Sequence, residues 1–280
     1  MNLEFAVEQT VRTRRSVRTY EPTPLSAADQ EKVLAYMQSV ANPFNKEVVF
    51  RFAESSTEAG GERLGTYGMI KGAKYYIGAI VTDDVLALEA LGYSFERLVL
   101  YATSLGLGTC WLGGTFNKSK FASIMGVKEN QMLPIVSPIG YPAKQKRFME
   151  KIVRATAHSD LRKDWSELFF ENGFATPLSQ SQAGDYAFAL EMLRLAPSAS
   201  NQQPWRIVKR AGTFHFYEMK SKRNESILGF DMQRIDMGIV ACHFHIAAQE
   251  RGLEGKFESL QETGIPAPEN AVYRFSWIAG

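Results

Sequence analysis

Apolar residues recur along the chain at two spacings, and the spacing sorts it into helices and strands. Residues 3–13 set Phe5, Val7 and Val11 on one side with charges between them, which predicts a helix. Glu21-Pro22-Thr23-Pro24 then interrupts regular structure, because proline lacks the backbone donor and fixes its own φ. Ser26 opens a second helix: it can cap, Asp29 follows three residues on, and Val33, Leu34 and Met37 come after. Residues 48–54 read as a strand and Gly60-Gly61 as a loop. YYIGAIVT (75–82) is a short run of aromatic and β-branched residues, which predicts a buried strand. Residues 89–105 form a strongly apolar helix carrying Leu91, Phe95, Leu98 and Tyr101, with Gly106 and Gly108 as stops. Leu133–Tyr141 predicts another strand, closed by Pro142, and residues 143–170 are charged enough to cross the surface.

The order then recurs. A helix over 183–195 leads into APSASNQQPWRIV, a hairpin around GTFHFYEM, an apolar helix over 236–251 ending at Gly252, and a final strand AVYRFSWIAG. Ala41 to Arg51 runs in parallel with Ala196 to Arg206, each stretch following a helix and entering a strand through aromatic–Arg–apolar. Helix 89–107 aligns with 236–253 at an offset of 146, placing Ala102 on Ala248 and Gly106 on Gly252. VSPIGY aligns with FSWIAG at an offset of 139. The identities are few, but the pattern predicts an internal duplication.

Composition narrows the class without naming it. Apolar residues are 45% and charged residues 22% of the 280, as in ordinary globular proteins. The net charge of +2 gives no electrostatic reason to expect nucleic acid or an anionic membrane. Two cysteines, Cys110 and Cys242, are too few for a disulfide framework. The start of the chain has no apolar core of signal-peptide length, and no apolar stretch approaches the roughly 20 residues of a membrane helix. The expected location is the cytoplasm.

Three segments could carry chemistry. In Arg14-Arg15-Ser16-Val17-Arg18, strand alternation would project Arg14, Ser16 and Arg18 together, and guanidinium groups match phosphate oxygens bidentately. The alternative is that these arginines only favour the negative end of a helix. Ser200-Asn201-Gln202-Gln203 is an amide-rich loop between Pro197 and Pro204, suited to a flat ligand, with a plain helix end and turn as the alternative. Gly106 to Gly114 resembles a dinucleotide fingerprint only superficially, because Trp111 takes the third glycine's slot and the run follows a helix. Elsewhere the chemistry is thin. His158 stands alone in a charged stretch, His215 falls in the hairpin, and His243 and His245 are two apart on a helix. They read as packing or surface residues, not metal ligands. Cys110 lacks an adjacent activating group and reads as a small buried residue.

Taken together, RRSVRTY (14–20), LGLGTCWLGG (105–114), IGYPAK (139–144), RKDWSELFF (162–170) and APSASNQQPWRIV (196–208) resemble the FMN-dependent nitroreductase family. The resemblance implies an α+β fold. In that family FMN lies at a homodimer interface: one subunit supplies the RRS segment, the strand after the long helix and a late Arg, and the other supplies the PSxxNxQPW loop. Here both sets occur in one chain. RRSVR lies in the first half, whose Asn42–Arg51 loop lacks PSxxNxQPW, and APSASNQQPW lies in the second half, which lacks RRSxR. This complementary loss implies the duplicated, single-chain branch: two tandem halves, each a mainly antiparallel sheet flanked by helices, forming an intrachain pseudo-dimer with one composite FMN site. The expected divisions are 1–155, a crossing linker 156–182, and 183–280.

By motif position, Arg14, Arg15, Ser16 and Arg18 are implied to hold the phosphate and ribityl end, with Arg15 able to reach the ring instead. Arg162 is implied as the late phosphate contact, in competition with Lys146 and Arg147. Leu112 and Gly113 would bring backbone to the ring, although the family often has an acidic residue where Gly113 stands. Pro197, Ser198, Ala199 and Asn201 would cross onto the ring from the second half, and Tyr67 is a further candidate. The implied activity takes hydride from NAD(P)H and passes electrons to a nitroaromatic, quinone or similar small acceptor, with no catalytic acid–base side chain and no metal. The alternative is a flavin-binding or degenerate relative without turnover. A nucleic-acid module using the arginines is disfavoured by the net charge. The expected solution state is a monomer.

Overall fold

The computed structural model describes residues 3–55, 65–144, 161–220 and 229–280. Two long helices, α3 (Ala87–Ser104) and α8 (Met232–Glu250), form its centre, and nearly every residue of both is buried. Burial on all sides is what a helix with so little polar surface requires. The two cross where each has a glycine. A Cβ on Gly92 would lie 2.1 Å from the carbonyl oxygen of Ile235, and a Cβ on Gly238 would lie 2.0 Å from that of Glu89. Only glycine permits so close an approach of two backbones. Beside the crossing, Arg234 donates to both carboxylate oxygens of fully buried Glu89, at 2.8 and 2.9 Å.

A sheet packs on each side. The first has the order β1 (Val49–Glu54), β2 (Tyr75–Thr82), β4 (Gln131–Gly140), β3 (Gly108–Thr109). The second has β5 (Phe169–Glu171), β6 (Trp205–Arg210), β7 (Thr213–Met219), β9 (Ala271–Ala279), β8 (Gly255–Glu258). Apart from β5, the two orders match strand for strand, and every pairing is antiparallel. β5 adds in parallel to the outer edge of β6, with Phe169 opposite Ile207. The architecture is α+β, with one antiparallel and one mixed sheet flanked by helices.

The smaller helices are α1 (Val7–Thr13), α2 (Ala27–Ser39), α4 (Lys118–Ile124), α5 (Trp165–Leu168), α6 (Gln180–Ala183) and α7 (Ala187–Arg194). Ser26 caps α2 as its spacing predicts, accepting from the Asp29 N–H. α1 starts at Val7 and not at residue 3, where the Glu250 carboxylate at the end of α8 accepts the Val7 N–H at 2.7 Å. α8 starts four residues before its apolar run, because Asp231 caps it.

The stretch 143–170 is not a surface crossing throughout. Residues 145–160, with Lys146, Arg147 and His158, lie outside the described residues. From Leu161 the chain returns to the core, and Leu168 and Phe169 are fully buried. Charges at 162–167 hide an apolar LFF, whose Phe169 and Phe170 pair with β6. β8 also escapes the hydropathy pattern, since GKFE carries one apolar side chain. Among the described residues no helix is long and apolar enough to cross a membrane.

Candidate functional site

Residues far apart in sequence line a single cleft of about 680 Å³. One wall is the segment after α1. Arg14 ends that helix and the chain then runs extended along β3: Ser16 bridges Thr109 in parallel, and the Val17 N–H donates to the Thr109 carbonyl at 2.8 Å. Gly108 permits the approach, since a Cβ there would lie 2.8 Å from three carbons of Val17. Val17 points into the core, while Arg14, Arg15, Ser16 and Arg18 all line the cleft. The segment is therefore both a helix end and an arginine-bearing strand. Arg15 faces the cleft with the others, not the opposite side that strict alternation gives.

The floor comes from Cys110 to Thr115, with Leu112 bridged to Val136. At Gly113 a Cβ would meet the methyl of Met232 at 2.0 Å, so a side chain from α8 occupies the space that a larger residue would use. The opposite wall is the second half's loop: Leu195, then Pro197 to Asn201, backed by Met232, Ile235, Asp236 and Ile239 of α8. Arg162 joins them. Its guanidinium donates to the Leu195 carbonyl at 3.1 Å and to Asn201 Oδ1 at 3.2 Å, so it fastens the loop as well as facing the cleft.

Eleven of the twelve residues predicted from sequence thus meet in this one cleft. Tyr67 does not line it. Tyr67 is 70% exposed on a turn with φ of 45°, and Met69 from the same segment reaches the cleft instead.

The electrostatics are cationic. Arg14, Arg15, Arg18 and Arg162 face a space where Asp236 is the one acid among the lining residues. The Nε and Nη1 atoms of Arg18 are buried and have no hydrogen-bond partner among the described residues. A guanidinium left in that state costs free energy until an anion meets it. Asp236 is fully buried, and burial together with nearby Glu218 and Asp231 pushes its carboxyl well above the usual range, against the Ala199 N–H that it accepts.

Two buried acids around the cleft, Glu96 and Asp236, have no counterpart in the sequence reading. Glu96, fully buried on α3, accepts from Trp111 Nε1 at 2.9 Å, lies 3.9 Å from Arg14 Nε, and meets His243 Nε2 at 2.9 Å. His243 Nδ1 lies 3.0 Å from the Met192 carbonyl. That oxygen only accepts, so Nδ1 donates to it, and the Nε2–Oε1 contact holds a further proton on ring or carboxyl. His243 is thus a buried, hydrogen-bonded core residue, as the packing reading expects, and through Glu96 it ties the cleft floor to α8. Cys110 and Cys242 are buried and form no disulfide with each other. Among the described residues no group of three His, Cys, Asp or Glu could hold a metal. The one signal that could have found Glu96 and Asp236 is an acid inside an otherwise apolar helical run.

Comparisons with known proteins follow the same lines. The sequence pattern of the family described as "Putative TM nitroreductase" matches residues 6–248. A protein of Archaeoglobus fulgidus named "Putative NADH dehydrogenase/NAD(P)H nitroreductase" is 26% identical over 168 residues, covering 55% of this chain and 95% of its own. The crystal structure of a putative nitroreductase from Thermotoga maritima superposes with a TM-score of 0.63 at 18% identity, covering 99% of this chain and 95% of that one. That likeness shows the fold. A nitroreductase with bound FMN from Bacteroides fragilis is 21% identical over 52% of this chain and 92% of its own, with a TM-score of 0.41.

Proposed function

The chain belongs to the family described as Putative TM nitroreductase, and from that premise we propose that it is an FMN-dependent oxidoreductase. In this reading it takes hydride from NAD(P)H and passes electrons to a nitroaromatic, quinone or similar small acceptor. One observation carries it: an arginine segment from the start of the chain and an amide loop from its second half line a single cleft.

The residues present fit FMN. Two buried, unpartnered nitrogens of Arg18 suit a phosphate, which matches guanidinium geometry. Arg14, Ser16 and Arg162 stand on the same cleft and complete a cationic end. Arg15 offers a second cation toward the ring. Leu112 and Gly113 present backbone beside the Met232 side chain. Pro197, Ser198, Ala199 and Asn201 supply the facing wall. When bound, FMN would supply the hydride and electron chemistry, meeting donor and acceptor in turn (ping-pong). The protein's part is to bind, orient and neutralise: the arginines offset phosphate charge, and the Pro197–Asn201 loop presents the facing surface.

The same reading makes the chain a pseudo-dimer, with halves at 1–155 and 183–280 and a linker at 156–182. Support comes from the matching strand orders and the reciprocal glycine contact, in which Gly92 and Gly238, like Glu89 and Ile235, are separated by 146 residues. The linker carries β5, which completes the second half's sheet. The equivalent second cleft is closed in this account. Phe44 occupies the place that Ala199 has in the other loop, and its ring packs 5.7 Å from Phe257 and 5.1 Å from Phe275. One flavin per chain and a monomeric protein follow.

The test is anaerobic addition of NADH or NADPH to the FMN-loaded protein. The reading expects flavin absorbance to bleach and to return when a quinone is added. Flavin that stays oxidised would mark a binding protein without turnover.

A further inference from the structure

The loop facing the arginines is held in an uncommon shape. Ser200, Asn201 and Gln203 have φ of 50°, 55° and 51°. A non-glycine residue in that region costs on the order of 1 kcal/mol, and it persists only where the surroundings over-determine it. Among the hydrogen bonds that do so here, beside that of Arg162 to Asn201, four stand out. The Gln203 N–H donates to Ser198 Oγ at 2.9 Å, Asn201 Nδ2 donates to the Leu161 carbonyl at 2.9 Å, and the Lys163 N–H donates to Gln203 Oε1 at 2.8 Å. The fourth runs to the core: the Ala199 N–H donates to Asp236 Oδ1 at 3.0 Å. The first three act within the loop or tie it to residues 161–163. Of these four, the fourth ties it to α8.

We propose that Asp236 is the positioning residue of the Ser198–Gln203 loop, acting through Ala199 to set the wall that the bound flavin meets. Asp236 is 2% exposed and stands on the cleft side of α8. Its Oδ2 is buried with no hydrogen-bond partner among the described residues. An ionised carboxylate with an oxygen so placed would cost several kcal/mol. The proton therefore sits on Oδ2, and Asp236 anchors the loop without adding negative charge to a cleft built for an anion. The charged groups around it agree with this. Glu218 of β7 and Asp231 at the α8 cap act against ionisation, while Arg14 and Arg162 share the cleft lining with Asp236.

The inference relies on the flavin reading for its ligand, so its test has one arm that needs no flavin. Amide hydrogen exchange at Ala199 to Asn201 is measured in the cofactor-free full chain for wild type, Asp236→Asn and Asp236→Ala. Asn keeps an oxygen for the Ala199 N–H and an uncharged donor in place of the acid. Exchange at Ala199 should rise about tenfold in Asp236→Ala, as for loss of one buried hydrogen bond, and stay within about twofold in Asp236→Asn. In the second arm FMN affinity should fall about tenfold in Asp236→Ala only. The reduction potential of bound FMN should be the same in Asp236→Asn as in wild type. Unchanged exchange in Asp236→Ala, or Asp236→Asn behaving like Ala, overturns the proposal. So does a raised flavin potential in Asp236→Asn, which also decides the matter if the Ala variant does not fold. Wild-type protein that binds no FMN would sink the flavin reading and leave the exchange result to decide Asp236.

Discussion

Gly92 on α3 and Gly238 on α8 face each other so closely that a Cβ on the first would come within 3.1 Å of the Cα of the second. The nearer obstacles are backbone carbonyls at 2.1 and 2.0 Å, which cannot swing aside as a side chain can. Alanine at either site would force the two central helices apart. Overpacking of this kind costs about 1–3 kcal/mol, and here it outweighs the gain of roughly 1 kcal/mol that alanine brings to a helix. Gly92→Ala and Gly238→Ala should each lower the urea midpoint at unchanged slope. A neutral result at both would mean that the helices do not touch there.

Arg18 tests the anion end of the cleft. Its two unpartnered nitrogens make it the guanidinium with most to gain from a phosphate. Removing hydrogen bonds to a charged group costs about 1.5–3 kcal/mol, or roughly 10–150-fold in affinity. Arg18→Ala should weaken FMN binding by that factor, measured by fluorescence titration of the cofactor-free chain. Asn201→Ala, on the opposite wall, should weaken it as well. Full cofactor retention in both variants would contradict a composite site.

Phe44 tests the closure of the second cleft. It is 9% exposed and packs among Tyr93, Phe257 and Phe275. Phe44→Ala should cost about 3–5 kcal/mol in thermal or denaturant unfolding, as for other aromatic truncations in a core. It should not create a second flavin site, because no RRSxR segment stands opposite.

His245 sets an acid limit on stability. Its Nδ1 lies 2.7 Å from the Tyr93 hydroxyl, and burial with the nearby Arg97 charge lowers its pKa to about 4. The unfolded imidazole titrates near 6.5, so below that pH the unfolded chain binds a proton that the native chain does not. The stability contributed is intact above about 6.5 and is lost as pH falls toward 4, by up to about 3 kcal/mol. His245→Gln should flatten this part of the stability profile; an equal decline in the variant would assign the acid loss to other groups.

Much of this was legible in the sequence where one rule acts alone. The Ser26 cap, the 75–82 strand and the long central helices follow from local pattern. The meeting of Arg14–Arg18 with Pro197–Asn201 was legible only through family motifs, since nothing in spacing brings residues so far apart together. Glu96 and Asp236 escape the sequence reading because their partners lie on other elements: a buried acid is explained by what faces it. The segment after Leu161 misled because its charges precede an apolar strand whose partner, β6, comes some forty residues later. Tyr67 stands outside the cleft because its side chain turns to solvent, while Met69, two residues on, turns inward.

The central claim is that one chain closes one flavin site from its two halves. Equilibrium titration of the cofactor-free protein with FMN, read as moles bound per mole of chain, tests it most directly. The account predicts saturation at one equivalent with the protein monomeric. Saturation at two equivalents, saturation at half an equivalent in a dimer, or no saturable uptake would contradict it.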